Sequence, residues 1–395
     1  MSASQPTLPA PELASQMNDD GSTQLLQITD KGGSKPALFP LLDILNHKPR
    51  TKITWQAGNG AVSFIAEENL EEGVEVFNNY GPKPNQQCLC PFIFLQPIRA
   101  NFHEIVLLSY GFAIRDNPDD TVMLKLKPQL NPIQQAIRDQ QILAKDDSGI
   151  YHLKVDASSP PTQLVQLFRI LVANQRELKL LMGAPAQPLK GRNEITAKVK
   201  ILNSLMMKLE GSLRISPSLD EAEPRISHFA AYCTDFRKGQ IKILQSVIAK
   251  FEDEVNELCS QSDLYSFEDL TQPYRRFRKA IASCFGDIKD RGPGMDGVVF
   301  ILAICNFLLK NQVDESALGH QLGRLLEDYP MDLQGDEDEE ARVRDLYDDI
   351  FPAAATVAPK VFDGDRWTIQ LLRWGTRVYQ GEVIKLLGDQ EYLVL

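Results

Sequence analysis

Histidine, tryptophan and cysteine are scarce in this chain of 395 residues, which carries 5, 3 and 6 of them. The cysteines at 88, 90, 233, 259, 284 and 305 give one close C-x-C pair and four scattered members. That spacing excludes a disulfide framework and a zinc ribbon, so buried or free thiols are expected. His103, His152, His228 and His320 fall in no ligand spacing of the H-x-x-x-H kind, so no metal is expected. Long apolar runs are missing too. The stretch Gly297 to Leu309 is the longest, and a bilayer span needs about 20 apolar residues, so no membrane partner is expected. An excess of positive charge is absent: 42 Lys and Arg stand against 53 Asp and Glu, a net charge of -11. Direct binding of nucleic acid is therefore not expected. The N-terminal stretch has no basic segment followed by an apolar one, and Ser, Pro, Ala and Gln lead into Asp19 and Asp20. This points to a location inside the cell, cytoplasmic or nuclear. What the chain does have is 43% hydrophobic residues, enough for the cores of two or three domains and too many for wholesale disorder.

Residues 1–34, rich in Ser, Gln, Pro and Gly, read as a flexible leader. From Leu38 to about Leu126 the pattern is strand-like. Ala61-Val62-Ser63-Phe64-Ile65 and Val74-Glu75-Val76-Phe77 are short and rich in β-branched or aromatic residues, with Glu71-Glu72-Gly73 as a turn between them. Gly58-Asn59-Gly60 is a G-x-G but lies between strand-like segments, where Asn-Gly signals a hairpin turn. After Pro132 the period becomes helical, with Leu164, Leu167, Phe168, Leu171 and Val172, then Leu202, Leu205, Met206 and Leu209. Gln240 to Glu257, Asp296 to Asn311 and Trp367 to Leu387 continue it, and the acidic run Gly335 to Glu340 reads as a solvated loop or a helix start.

Three segments in the β-rich part stand out: Asp43-Ile44-Leu45-Asn46-His47, Asn78-Asn79-Tyr80-Gly81 and Ser109-Tyr110-Gly111-Phe112. Each alone is ordinary, a strand end with satisfied polar groups or a half-buried tyrosine before a turn. In this order, with Phe39-Pro40-Leu41-Leu42 before the first and Glu72-Gly73-Val74-Glu75-Val76 before the second, they resemble the C-terminal half of a SET-domain lysine methyltransferase. The subgroup is the one containing the Rubisco large-subunit and ribosomal-protein lysine methyltransferases. Phe168-Arg169-Ile170-Leu171-Val172-Ala173-Asn174 and Gly239-Gln240-Ile241-Lys242-Ile243-Leu244 are similar to its helical substrate-binding domain.

The resemblance implies an α+β fold, an incomplete SET β unit followed by an all-α Rubisco-methyltransferase-like substrate-binding domain. Residues 35–131 would hold the C-terminal part of the SET domain, with an atypical insert at 86–103, and residues 132–395 the helical domain. It implies S-adenosyl-L-methionine as cofactor and a lysine-bearing protein as partner, such as a ribosomal protein or a histone. Asn46 and His47 would contact the cofactor and Tyr80 would be catalytic. Tyr110 and Phe112 would line the lysine channel, with Asp43 and Trp55 on the substrate side. The chemistry suits these residue types. Methyl transfer from a sulfonium to an amine is mainly a matter of holding an in-line geometry, rigid aromatics hold it well, and ring faces attract both cations. A carboxylate would instead raise the pKa of the lysine that has to lose its proton.

Two departures from the pattern set further expectations. Only 45 residues precede Asn46, and Lys31-Gly32-Gly33-Ser34 reads as a turn rather than the G-x-G strand that the subgroup carries well upstream. The insert, with Pro91 and Pro97 and an apolar character, separates Asn85 from Glu104, where the subgroup runs a continuous helix capped by its asparagine. It reads either as translated non-coding sequence in a truncated or mispredicted chain, or as a hydrophobic loop packing on the helical domain. The alternative function is a truncated, non-catalytic SET-derived protein whose helical domain binds a protein partner.

Overall fold

The computed structural model describes residues 29–30, 33–34, 44–58, 61–88, 112–141, 149–155, 161–183, 189, 191–214, 224–286, 295–311, 317–333, 335–388 and 390–395. In chain order the elements are β1 (Thr29–Asp30), β2 (Gly33–Ser34), β3 (Ile53–Gly58), β4 (Ala61–Ala66), α1 (Asn85–Cys88), β5 (Val122–Lys125), α2 (Pro132–Gln141), β6 (Ile150–Leu153), α3 (Thr162–Val172), α4 (Gln175–Gly183), α5 (Arg192–Arg214) and α6 (Pro224–Ser260). They continue with β7 (Leu264–Tyr265), α7 (Phe267–Thr271), α8 (Arg275–Phe285), α9 (Met295–Lys310), α10 (Ala317–Asp328), α11 (Glu337–Val357), α12 (Ile369–Glu382), β8 (Val383–Lys385) and β9 (Glu391–Val394). The class is α+β, with short sheets among long helices. Two compact units divide the chain, one of residues 1–123, 152–157 and 211–245, the other of residues 124–151, 158–210 and 246–395.

In the first unit β3 and β4 pair antiparallel with Gly58 opposite Ala61, the register of the hairpin expected there; Asn59 and Gly60 themselves lie outside the described residues. Trp55 faces Phe64 across the pair, edge to face, with ring centroids 5.4 Å apart. Such cross-strand aromatic pairs fix register. The strand expected at Val74 to Phe77 is not formed. This segment makes no ladder among the described residues, and its end is tied instead by a single parallel bridge between His47 and Asn78. Val74 is 54% exposed, so the β-branched side chains have no face to pack on and propensity alone does not make a strand.

The second unit is built on α9, which is apolar all round and buried from Val299 to Phe307. Its core continues through Phe277, Phe351, Phe362, Trp367 and Trp374. The acidic run proves to be the start of α11: the Asp336 side chain accepts the Glu339 N–H at 2.7 Å, and the carboxylates of the first turn suit the positive end of the helix. Two of them face α12, Glu339 bound twice by Arg377 at 2.7 and 2.8 Å and Glu340 by Arg373 at 2.5 Å. α3 buries Leu164, Leu167 and Phe168, as its period requires. Asn174 and Glu177 exchange two backbone-to-side-chain hydrogen bonds of 2.9 Å at the start of α4, a reciprocal capping pair.

The C-terminal region, expected to be all-α, also contains the three-stranded antiparallel sheet β7-β9-β8. The helix expected over Trp367 to Leu387 stops at Glu382, where Val383 turns extended. Val383 and Ile384 are β-branched, and β9 supplies a partner strand that satisfies their backbone. No helix among the described residues is long and apolar enough to cross a membrane.

Candidate active site

His47 and Tyr80 stand 33 residues apart in the chain, and backbone contacts draw them and Asn46 together before any side chain acts. The Asn78 N–H donates to the Asn46 carbonyl at 2.8 Å and the Lys48 N–H to the Asn78 carbonyl at 3.0 Å. Asn79 then turns the chain. Its Oδ1 accepts the Gly81 N–H at 3.0 Å and its Nδ2 donates to the Thr51 carbonyl at 3.1 Å. Gly81 has φ +84, a left-handed conformation that glycine takes without steric cost.

On this frame the imidazole of His47 stacks on the ring of Tyr80, centroids 5.1 Å apart and 15° from parallel. The Tyr80 N–H donates to His47 Nδ1 at 3.2 Å, so Nδ1 holds a lone pair and the proton of the neutral ring sits on Nε2. His47 is only 6% exposed, and its buried Nε2 has no hydrogen-bond partner among the described residues. Burial pushes its pKa down from the ordinary histidine value, against the opposing influence of the Asn78 backbone. The Tyr80 hydroxyl donates to the Leu45 carbonyl. With its hydrogen committed there, the phenolic oxygen keeps acceptor capacity. Asn46 Nδ2 donates to Glu75 Oε1 at 2.6 Å on the exposed side.

The depressed histidine has a measurable consequence. A histidine with a lowered folded-state pKa contributes stability that is complete above its unfolded value of about 6.5 and is lost as pH falls through the folded value. Protonation also removes the lone pair that accepts from Tyr80. An NMR titration of His47 is expected to give a pKa below about 6.5, with site stability declining on the acid side. A value above that of an unstructured histidine would contradict this geometry.

Of the other residues expected at the site, Trp55 is half-buried in β3 against Phe64, and Phe112 is half-buried in the segment before β5. Asp43 and Tyr110 lie outside the described residues, as do residues 89–103 of the insert. Asn85, the cap of the family helix that the insert interrupts, stands at the start of α1 and is buried in a network with Ile114, Asn117 and Asp120. Sequence reasoning missed Glu75 as the partner of Asn46, the Leu45 carbonyl as the acceptor of Tyr80, and Asp120 altogether. The Asn85–Asp120 link spans 35 residues, and no local pattern announces it. Among the described residues no group of three or more His, Cys, Asp or Glu side chains is placed to hold a metal.

No family model matches the chain. Among characterised proteins it is similar to ribosomal lysine N-methyltransferase set10 of Schizosaccharomyces pombe, 28% identical over 240 residues that cover 57% of this chain and 40% of that protein. It is also similar to ribosomal lysine N-methyltransferase 1 of Saccharomyces cerevisiae, 24% identical over 247 residues that cover 57% of this chain and 39% of that protein. The chain thus matches about two fifths of the length of these relatives. The chain is thus similar to ribosomal lysine N-methyltransferases, in keeping with the SET-domain resemblance carried by its Asn46-His47, Tyr80 and Tyr110-Gly111-Phe112 segments.

Proposed function

We propose that this chain is a protein-lysine N-methyltransferase that uses S-adenosyl-L-methionine and acts on a lysine of a ribosomal protein. Residues 35–131 would form the C-terminal part of its SET domain, and the helical residues 132–395 would bind the substrate. The stacked His47–Tyr80 pair carries the reading, together with the relatives' names. A buried imidazole N–H without an acceptor is costly, about 1–3 kcal/mol, and the Nε2 of His47 has none among the described residues. It fits a site completed by a polar cofactor, for which Asn46 beside it offers a carboxamide.

When bound, the cofactor would supply an electrophilic methyl group on a sulfonium. The rest falls to the protein. Tyr80, its hydroxyl hydrogen turned to Leu45, presents an oxygen that can accept from the incoming lysine and orient its nitrogen once the proton has left to solvent. Tyr110 and Phe112 would wall the lysine side chain, with Asp43 and Trp55 at the substrate side. Tyr80 and neutral His47 bring no negative charge of their own to the reacting amine, and so do not raise the lysine pKa.

Calorimetric titration of the purified full chain with S-adenosyl-L-methionine tests the reading. Saturable heat is expected, and it should weaken in His47→Ala, which removes both the donor and the stacking ring. A heatless titration under conditions where the chain is folded would remove the cofactor and the reaction with it.

A further inference from the structure

Asn85 makes an unusual contact for a side chain. Its Oδ1 accepts the Ile114 N–H at 2.8 Å while its Nδ2 donates to the Ile114 carbonyl at 2.8 Å, so one carboxamide pairs with both backbone groups of one residue as a strand would. Asn117 Nδ2 adds a bond of 3.1 Å to the same Oδ1 and one of 2.9 Å to the Lys83 carbonyl. The amide is held from behind. Asp120 accepts the Asn85 N–H at 3.0 Å on Oδ1 and Asn85 Nδ2 at 3.2 Å on Oδ2, and Oδ1 also takes the Thr121 N–H at 3.0 Å. Helix α6 closes this side with Gln240, which donates to the Thr121 carbonyl at 2.9 Å, and with Gly239, where a Cβ would come within 2.8 Å of Asp120 Oδ2. Asn85 is 1% and Asp120 6% exposed.

This network joins two stretches that stand 29 residues apart, the one that follows Tyr80 and the one that follows Phe112. We propose that Asn85 is a positioning residue for methyl transfer, its amide fixing the 112–114 backbone against the 80–85 segment, with Asp120 as the acceptor that fixes the amide. The inference rests on the methyltransferase reading. Asparagine is the residue the geometry demands. Aspartate lacks the donor for the Ile114 carbonyl, and glutamine carries one methylene too many for a buried site. At position 120 only an acceptor serves, because an asparagine amide there would face the Nδ2 of Asn85 donor to donor. Burial raises the pKa of Asp120 against the pull of its hydrogen bonds, which marks how far the carboxylate has been withdrawn from water for this contact.

The test compares the full chain with Asn85→Asp and with the exchanged pair Asn85→Asp/Asp120→Asn. The exchange restores a donor and acceptor between positions 85 and 120 but not the donor to the Ile114 carbonyl. Thermal stability is expected to fall in Asn85→Asp and largely return in the exchanged pair. Turnover is expected to stay down by about tenfold or more in both, with cofactor affinity within about twofold of the parent, the pattern of a misplaced reacting pair. Hydrogen exchange of the peptide 112–118 should be faster in both variants. Turnover that returns with stability in the exchanged pair would reduce Asn85 to a structural role and overturn the inference. Unchanged exchange in the folded variants would overturn the contact itself. A parent chain that binds no cofactor would instead defeat the methyltransferase reading, an outcome separate from either.

Discussion

Replacing Gly375 by alanine is expected to destabilise the second unit by about 2 kcal/mol, although the same change in an exposed helix stabilises by about 1 kcal/mol. α12 crosses α9 at this residue. A Cβ there would sit inside van der Waals contact of Cys305 Sγ, 3.3 Å from Ile301 Cγ2 and 3.4 Å from the Ile301 carbonyl. Two of these neighbours, the Ile301 carbonyl and its β-branched side chain, belong to the stiff frame of α9. Cys305 is wholly buried, and its Sγ lies 3.4 Å from the Leu371 carbonyl as a weak donor. The contact predicts its own remedy. Gly375→Ala combined with Cys305→Ala moves one heavy atom from one helix to the other, so the double variant should recover most of the loss. Denaturant unfolding followed by the fluorescence of Trp367 and Trp374 reads both. If the double variant is no better than the sum of the single changes, the helices are not limited by this approach. The crossing has a second close point, where a Cβ on Gly297 would come within 2.8 Å of the Tyr379 hydroxyl.

The periodicity of Leu164 to Val172 and the nearly apolar run at 297–309 were readable as α3 and α9, because burial on one face or on all faces is a local property of the sequence. Asn59-Gly60 likewise marked the hairpin between β3 and β4. Val74 to Phe77 has the composition of a strand and is none, since a strand exists through its partner and the sequence does not say who that is. Val383 and Ile384 show the reverse. They extend the helical pattern of α12 on paper, yet pair with Leu393 and Tyr392 of β9. The same limit governed the site. Asn46, His47 and Tyr80 were legible as motif members, and the structure brings them together. What each one touches was not legible: the Leu45 carbonyl is a backbone group with no sequence signature, and Asp120 is one aspartate among the 53 acidic residues.

Tyr80→Phe is expected to lower turnover by about a hundredfold or more while leaving the fold and cofactor affinity near those of the parent. The substitution removes one oxygen. The ring that stacks on His47 remains, and so does the Tyr80 N–H that holds His47 Nδ1, so Nε2, the proposed donor to the cofactor, keeps its tautomer and direction. What is lost is the proposed acceptor for the lysine nitrogen and the hydrogen bond to the Leu45 carbonyl, whose net worth to stability is about 1 kcal/mol. The expected signature is therefore a fall in kcat with calorimetric cofactor affinity preserved, opposite to that of His47→Ala, where affinity should fall first. Measuring both variants on the same peptide substrate separates the two roles. A Tyr80→Phe chain as active as its parent would place the catalytic oxygen elsewhere. If turnover and cofactor affinity fell together, the hydroxyl would be acting through the 45–47 backbone that it pins, and not on the lysine.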